Sequence, residues 1–151
     1  MANNIKIYFQ LDANELHGES TESVWVEKLP NENCKLMNIP IFAYGISLYD
    51  EVSTKKINDQ LFFDRLLIPS GHSTYRVMVE SNCNKNGVFE EYLKFLSDLG
   101  CTYEGMLGEV RIIAINVPPT VNIFTAYKFL EKGESDDVWT FEEGNCSHQT
   151  S

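Results

Sequence analysis

The densest group of side chains that could perform chemistry is the segment Ser70–Arg76, SGHSTYR. A histidine beside a serine suggests a general base beside its nucleophile. However, neighbouring residues on an extended chain point to opposite sides, so the His72 imidazole would not readily reach the Ser73 hydroxyl. Tyr75 also stands where the Gly-x-Ser-x-Gly nucleophile turn has its last glycine. The spacing therefore argues against a catalytic serine, and we expect no enzyme activity.

Two interpretations of this segment remain open. In the first, it is a turn whose hydroxyl groups satisfy nearby backbone groups, with Arg76 paired to an acid. In the second, it is a ligand or anion site, because it joins the two halves of the chain and such junctions commonly hold ligands. The candidate ligand-binding residues are Gly71, His72, Ser73 and Arg76.

Neither a metal site nor a phosphate-binding loop is indicated. The histidines, at positions 17, 72 and 148, lack the i, i+4 spacing of a helical metal site. The four cysteines are widely spaced and contain no C-x-x-C pair. Residues 105–108, GMLG, predict a turn, because phosphate and dinucleotide loops need more glycines. We therefore expect no metal and no cofactor.

The charge balance argues against nucleic-acid binding. The 151 residues contain 12 Lys and Arg against 22 Asp and Glu, which gives a formal net charge of -10. Phosphates would repel such a chain before local contacts could form. The excess acid lies toward the two ends of the chain, whereas the middle is nearly neutral. It is either a solubilising coat or a surface that meets a basic partner.

Two acidic segments are the candidate partner-binding surfaces under the second interpretation. The first is a predicted loop over residues 12–22, with the candidates Glu15, Glu19 and Glu22. The second lies in residues 131–151, where Lys132 is the one base. Its candidate residues are Asp136, Asp137, Glu142 and Glu143.

The first half of the chain predicts antiparallel strands. Apolar residues alternate with polar ones from Ile5 to Leu11. Further strands are expected at 24–27, 34–37, 50–52 and 61–68, with turns at 30–33 and 58–59. Residues 38–45, NIPIFAYG, form an apolar connector, because proline and glycine argue against a central strand. We expect an antiparallel sheet or a small barrel-like part.

The second half mixes helical and strand patterns. Residues 74–80 predict a strand, and apolar spacing from Val88 to Leu99 predicts a helix that ends at Gly100. A hairpin, a second helix that begins near Ile123 and ends at Gly133, and a strand at 137–141 follow. The order β-α-β-β-α-β predicts a ferredoxin-like part, and the whole chain is predicted to be α+β.

The predicted domains are residues 1–70 and 71–143, followed by a flexible polar tail at 144–151; one compact domain is the alternative. No segment reaches the ~18 consecutive apolar residues of a membrane helix. The first residues also lack the pattern of a signal peptide. Together with the widely spaced cysteines, these features predict reduced thiols and a cytoplasmic location.

Four short motifs, in this order, resemble a small bacterial family known only as a domain of unknown function. They are Trp25-Val26-Glu27, the connector 38–45, Asp50-Glu51-Val52 and the segment 70–76. The resemblance spans about residues 5–142 and carries no catalytic residue. Ile41 departs from the bulkier aromatic or leucine expected at that position.

The resemblance implies an immunity protein of a bacterial toxin system. Such a protein binds its cognate toxin, for example a contact-dependent growth inhibition nuclease, and blocks it. Since many of these toxins are basic, an acidic inhibitor suits them. We therefore expect a non-enzymatic binding protein whose partner is a basic toxin, not nucleic acid or a membrane. The alternative is a small-molecule-binding or regulatory module with its site at Ser70–Arg76.

Overall fold

The computed structural model describes residues 4–11, 21–80, 87–106 and 110–150. Within these residues the chain forms strands and two helices, which confirms the predicted α+β class. In chain order, the elements are β1 Asn4–Gln10, β2 Thr21–Lys28, β3 Cys34–Leu36, β4 Glu51–Ile57, β5 Gln60–Ile68, β6 Ser73–Glu80, α1 Val88–Leu99, β7 Thr102–Met106, β8 Val110–Val117, α2 Ile123–Ser135 and β9 Thr140–Asn145.

The first five strands close into a barrel. Successive strands pair antiparallel, and β1 closes the barrel through a parallel pairing with β5 at Tyr8 and Phe62. Alternation along β1 turns Ile7 and Phe9 inward, where both join the first hydrophobic core. The barrel-like part predicted from the sequence is therefore confirmed.

The remaining four strands form an antiparallel sheet in the order β7-β8-β6-β9. Both helices pack on one face of this sheet and bury Phe89, Leu96 and Leu130 in a second hydrophobic core. The element order β-α-β-β-α-β is the one that the sequence predicts. The apolar stripes of the two helices therefore serve as core.

The other face of this sheet lies against the barrel. Ile112 of β8 belongs to the barrel core, and Met78 of β6 packs on it. Ala114 of β8 forms a small cluster with Ile39 and Leu48 from the segment that joins β3 to β4. The barrel and the sheet thus share packed side chains, and this joining segment lies where they meet.

The end of the second helix differs from the sequence prediction. α2 continues past Gly133 to Ser135, and the last strand is β9 instead of residues 137–141. Gly133 is required for packing, since a Cβ there would lie 2.3 Å from Cε2 of Trp139. The indole occupies that space and donates a hydrogen bond to the Leu130 carbonyl at 2.9 Å.

Replacing Gly133 with alanine should destabilise the protein, although alanine favours helices, because the new methyl group would collide with the Trp139 indole. We expect the free energy of unfolding to fall by about 1–3 kcal/mol in urea denaturation. Ser135→Ala, at an exposed position in the same helical turn, is the control and should change it little. A Gly133→Ala protein as stable as this control would contradict the packing described.

Candidate functional site

A long loop between the barrel and the sheet brings together many of the polar residues that the sequence singles out. This β3–β4 loop, residues 37–50, contains no helix or strand, yet Phe42, Ile46 and Ser47 are buried in it. Buried backbone amide and carbonyl groups require hydrogen-bond partners. Charged side chains of the surrounding elements, and that of Asp50 at the end of the loop itself, supply several of them.

Glu22 of β2 binds three successive amides of the β3–β4 loop. Its carboxylate accepts hydrogen bonds from the backbone N–H groups of Ile41 at 2.6 Å, Phe42 at 2.9 Å and Ala43 at 2.9 Å. Hydrogen bonds to a charged acceptor are stronger than neutral ones. The sequence prediction put Glu22 in an acidic loop facing a partner. The structure places it in a strand, with its carboxylate bound to this loop.

Two further carboxylates bind the ends of the same loop. Glu104 of β7 accepts a hydrogen bond from the Ile39 amide at 2.6 Å and one from the Asn38 side chain at 3.2 Å. Asp50 is fully buried and accepts hydrogen bonds from the amides of Ser47 and Ser70, each at 2.8 Å. Asp50 therefore joins the end of the loop to the polar segment 70–76.

Arg76 of β6 supplies the matching donors. Its guanidinium is buried and donates to the carbonyl of Phe42 at 3.0 Å and to that of Ala43 at 3.4 Å. Nε lies 3.3 Å from Oε1 of Glu142, an ion pair that lacks the alignment of a hydrogen bond. The guanidinium also lies over the Tyr44 ring, 4.4 Å from its centroid.

Together, these four side chains form what we call the loop clamp: Glu22, Asp50, Arg76 and Glu104. Of the two open interpretations of Ser70–Arg76, the contacts of Arg76 match the structural one, in which the arginine is paired to an acid. The guanidinium is 1% exposed and is enclosed by the chain's own groups. The Arg76 guanidinium is therefore not accessible to a ligand that approaches from solvent.

Ser73 does have a histidine partner, but it is His148 near the C-terminus. Ser73 Oγ lies 2.6 Å from Nδ1 of His148, whose Nε2 lies 2.9 Å from the Pro118 carbonyl. Because a carbonyl only accepts, Nε2 carries a hydrogen, and in the neutral form of the ring Nδ1 then accepts a hydrogen bond from the Ser73 hydroxyl. Sequence analysis missed this pair, since 75 residues separate its members.

This serine–histidine pair is enclosed, and its contacts hold two segments of the chain together. Ser73 is 0% exposed, and its oxygen also accepts hydrogen bonds from the amides of Ser147 at 2.9 Å and His148 at 3.3 Å. An oxygen so occupied cannot approach a substrate carbonyl. The pair holds the segment after β9 against the start of β6.

His72 and Gly71 lie in the turn that precedes β6. His72 Nδ1 is 3.1 Å from Oδ1 of Asn116, and the His72 amide donates to Ser70 Oγ at 3.2 Å. Gly71 has a left-handed backbone with φ of 89°, and a Cβ there would lie 3.5 Å from Pro119. Both residues therefore have structural contacts in this turn.

The sequence model of the family described as "Domain of unknown function (DUF4265)" matches residues 22–141. The chain belongs to this family. It is also similar to the structure titled "Novel crystal structure of a hypothetical protein from Neisseria gonorrhoeae", with 20% identity and a TM-score of 0.75. That match covers 99% of this chain and 98% of the other, and it shows a shared fold. None of the curated proteins matches.

The DUF4265 match confirms the resemblance to a family of unknown function. Neither helix described in this DUF4265 chain is long and apolar enough to cross a membrane. Across the described parts of the chain, no three His, Cys, Asp or Glu side chains group as metal ligands would. All four residues of the loop clamp fall within the matched range.

The acidic candidates of this DUF4265 chain are dispersed. Glu142 faces the barrel, where it meets Arg76 and accepts a hydrogen bond from the Tyr44 hydroxyl at 3.1 Å. Glu143 faces the helices and accepts a hydrogen bond from the Tyr75 hydroxyl at 3.2 Å. The two neighbours thus point to opposite faces of the sheet. Glu15 and Glu19 lie outside the described residues.

Asp136 and Asp137 follow the end of α2. Asp136 accepts hydrogen bonds from Lys132 and from the Tyr92 hydroxyl, both at 2.6 Å. The hydrogen bond from Lys132, then that from Tyr92, lowers the pKa of the Asp136 carboxyl and keeps it ionised. Asp137 is exposed, with a left-handed backbone at φ of 60°.

One exposed surface of the DUF4265 chain was not predicted. Helical spacing places Phe124, Tyr127, Glu131 and Glu134 on one flank of α2, and all four are exposed. This flank faces β9, because the Tyr127 ring contacts that of Phe141 at 5.5 Å. The sequence pattern that predicts this helix does not show which of its aromatic side chains remain exposed. We call this surface, together with Glu143, the α2–β9 flank.

Glu22→Gln should destabilise the protein, because one amide oxygen cannot replace a carboxylate that accepts from three N–H groups. We expect the free energy of unfolding in urea to fall by about 1–3 kcal/mol. The control is Glu27→Gln on the same strand, where no described contact depends on the charge. Equal effects of the two substitutions would show that Glu22 does not hold the loop.

Proposed function

We propose that this DUF4265 chain is a non-enzymatic cytosolic protein that binds and blocks a basic protein, most concretely as the immunity protein of a basic bacterial toxin. The supporting observation is the acidic end of α2. The negative end of a helix dipole disfavours carboxylates, each such interaction being worth about 0.3–1 kcal/mol at low salt. The carboxylates near this end are those of Glu131, Glu134, Asp136 and Asp137.

The chain's own bases leave this acidic end largely uncompensated. Within the described residues, Lys132 forms the ion pair at this end, to Asp136. Lys28 and Lys94 are paired elsewhere, with carboxylates four residues away. A basic partner would place cations beside these carboxylates and offset their unfavourable interaction with the helix dipole. The charge arrangement therefore favours partner binding over a uniform solubilising coat.

The contacts at Ser70–Arg76 give less support to the alternative functions. A catalytic role would need the Ser73 hydroxyl to be accessible, and it is enclosed by its own chain. A small-molecule site would need the Arg76 guanidinium, which binds loop carbonyls instead. Both observations support a binding protein that acts through its outer surface.

Inhibition of the partner would work by steric occlusion. A standard protein interface buries about 1,600 Å² in total, which a chain of this size can provide. Acidic residues near the helix end would steer a basic protein and speed its association. Exposed aromatic side chains next to those acids would then provide the packed contacts that slow dissociation.

We also infer that the second part of the chain is ferredoxin-like, as its sequence pattern predicts. The sheet order β7-β8-β6-β9 places the second, third, first and fourth strands of this part side by side. A helix follows the first and the third of these strands. This is the support for the β-α-β-β-α-β assignment.

Glu131→Lys combined with Asp137→Lys should slow association with a basic partner. The partner would be captured from native cells at low salt and identified by mass spectrometry. Its association would then be followed by stopped-flow fluorescence at several salt concentrations. We expect a decrease of about tenfold or more in the association rate constant at low salt, and a weaker salt dependence.

The control is Glu32→Lys combined with Asp59→Lys, which makes the same change in net charge at exposed turns of the barrel. This control protein should associate faster than the α2 variant. Equal rates for the two variants would rule out the end of α2 as the binding surface. Capture of an acidic partner would contradict the proposed function itself.

A further inference from the structure

We infer that the α2–β9 flank recognises arginine side chains of the partner, a proposal that rests on the proposed function and specifies its chemistry. The flank combines two exposed aromatic rings with carboxylates. Phe124 is 53% exposed and Tyr127 is 39% exposed. Isolated exposed rings are common, but rings bordered by carboxylates match a guanidinium, which stacks on the ring and binds the acid.

The two rings are held in position by neighbouring groups. Asn122 caps α2, and its side chain accepts hydrogen bonds from the amides of Phe124 at 2.9 Å and Thr125 at 3.1 Å. This cap fixes the backbone that carries Phe124. Tyr127 makes edge contacts with the rings of Phe141 and Tyr75, at 5.5 and 6.0 Å. Rigidly placed aromatic groups lose little conformational freedom on binding.

Carboxylates lie near the Tyr127 ring. Glu143 binds the hydroxyl of Tyr75, whose ring contacts Tyr127. Glu134 accepts a hydrogen bond from the Phe141 amide at 3.2 Å, and Glu131 lies one helical turn beyond Tyr127. Carboxylates from α2 and from β9 therefore lie near Tyr127, and Phe124 lies one helical turn earlier on the same flank.

The protein uses the same combination to hold its own arginines. Arg76 lies over the Tyr44 ring and pairs with Glu142, which also binds the Tyr44 hydroxyl. Arg111 lies over the Phe89 ring, 4.7 Å from the centroid, and pairs with Glu90 at 3.5 Å. In both places an aromatic face and a carboxylate together bind one guanidinium.

The α2–β9 flank offers these two groups to an external cation. Lys128 adjoins this flank, four residues after Phe124 and three before Glu131, and within the described residues it forms no ion pair or ring contact. The planar guanidinium stacks on rings and binds carboxylates in a bidentate manner, whereas the lysine ammonium is compact and strongly hydrated. The occupant expected on this surface is therefore an arginine-bearing segment of a protein.

The inference is tested by titrating the ¹⁵N-labelled full chain with two peptides of equal length and charge, (Arg-Gly)₄ and (Lys-Gly)₄. We expect the arginine peptide to shift amide resonances of α2 and β9 and to bind about fivefold more tightly. Equal affinities of the two peptides, or shifts confined to other elements, would overturn the inference.

Tyr127→Ala should lower the affinity for the arginine peptide to that for the lysine peptide, whereas Tyr127→Phe should retain the preference. The matched control is Phe95→Ala, which removes a ring of similar exposure on α1 that is stacked on Phe129. This control should bind like the wild type. An unchanged preference in Tyr127→Ala would also overturn the inference.

The outcomes separate this inference from the proposed function. If the captured partner is basic and the α2 charge reversal slows its association, but both peptides bind alike, only the arginine preference fails. If the captured partner is acidic, the proposed function fails, and the arginine inference that rests on it fails as well.

Discussion

The structure depends on how buried backbone groups of the β3–β4 loop are satisfied. This loop lies between the barrel and the sheet, where Phe42, Ile46 and Leu48 are buried, but it has no strand partner for most of its length. A buried loop without hydrogen-bond partners would be strongly unfavourable. The loop clamp removes this penalty, because Glu22, Glu104 and Asp50 accept from its amides while Arg76 donates to its carbonyls.

The clamp also determines which charges are available for function. The side chains of Glu22, Glu104 and Arg76 bind the loop, and Glu142 forms an ion pair with Arg76. Among the carboxylates that remain exposed, those of Glu131, Glu134, Asp136 and Asp137 lie close together near the end of α2. The same constraint therefore stabilises the interior and removes several charges from the outer surface.

Local patterns predicted the elements well, whereas contacts between distant residues were not predictable. Alternation in β1 and apolar spacing in α1 depend on near neighbours, so one sequence is enough to assign them. Glu22 and Glu104 look like ordinary surface acids, and only the folded chain brings them to the loop. Ser73 and His148 form a pair although 75 positions separate them. Gly133 has the pattern of a helix end, and the sequence does not show that Trp139 fills the space beside it.

Native-state amide hydrogen exchange across the β3–β4 loop tests the role of the loop clamp most directly. Exposed loops exchange rapidly, whereas amides bonded to buried acceptors exchange only when the structure opens. The clamp predicts that the amides of Ile39, Ile41, Phe42 and Ala43 exchange as slowly as those of the neighbouring strands β2 and β6. Exchange of these four amides at the rates of an unstructured loop would contradict the account.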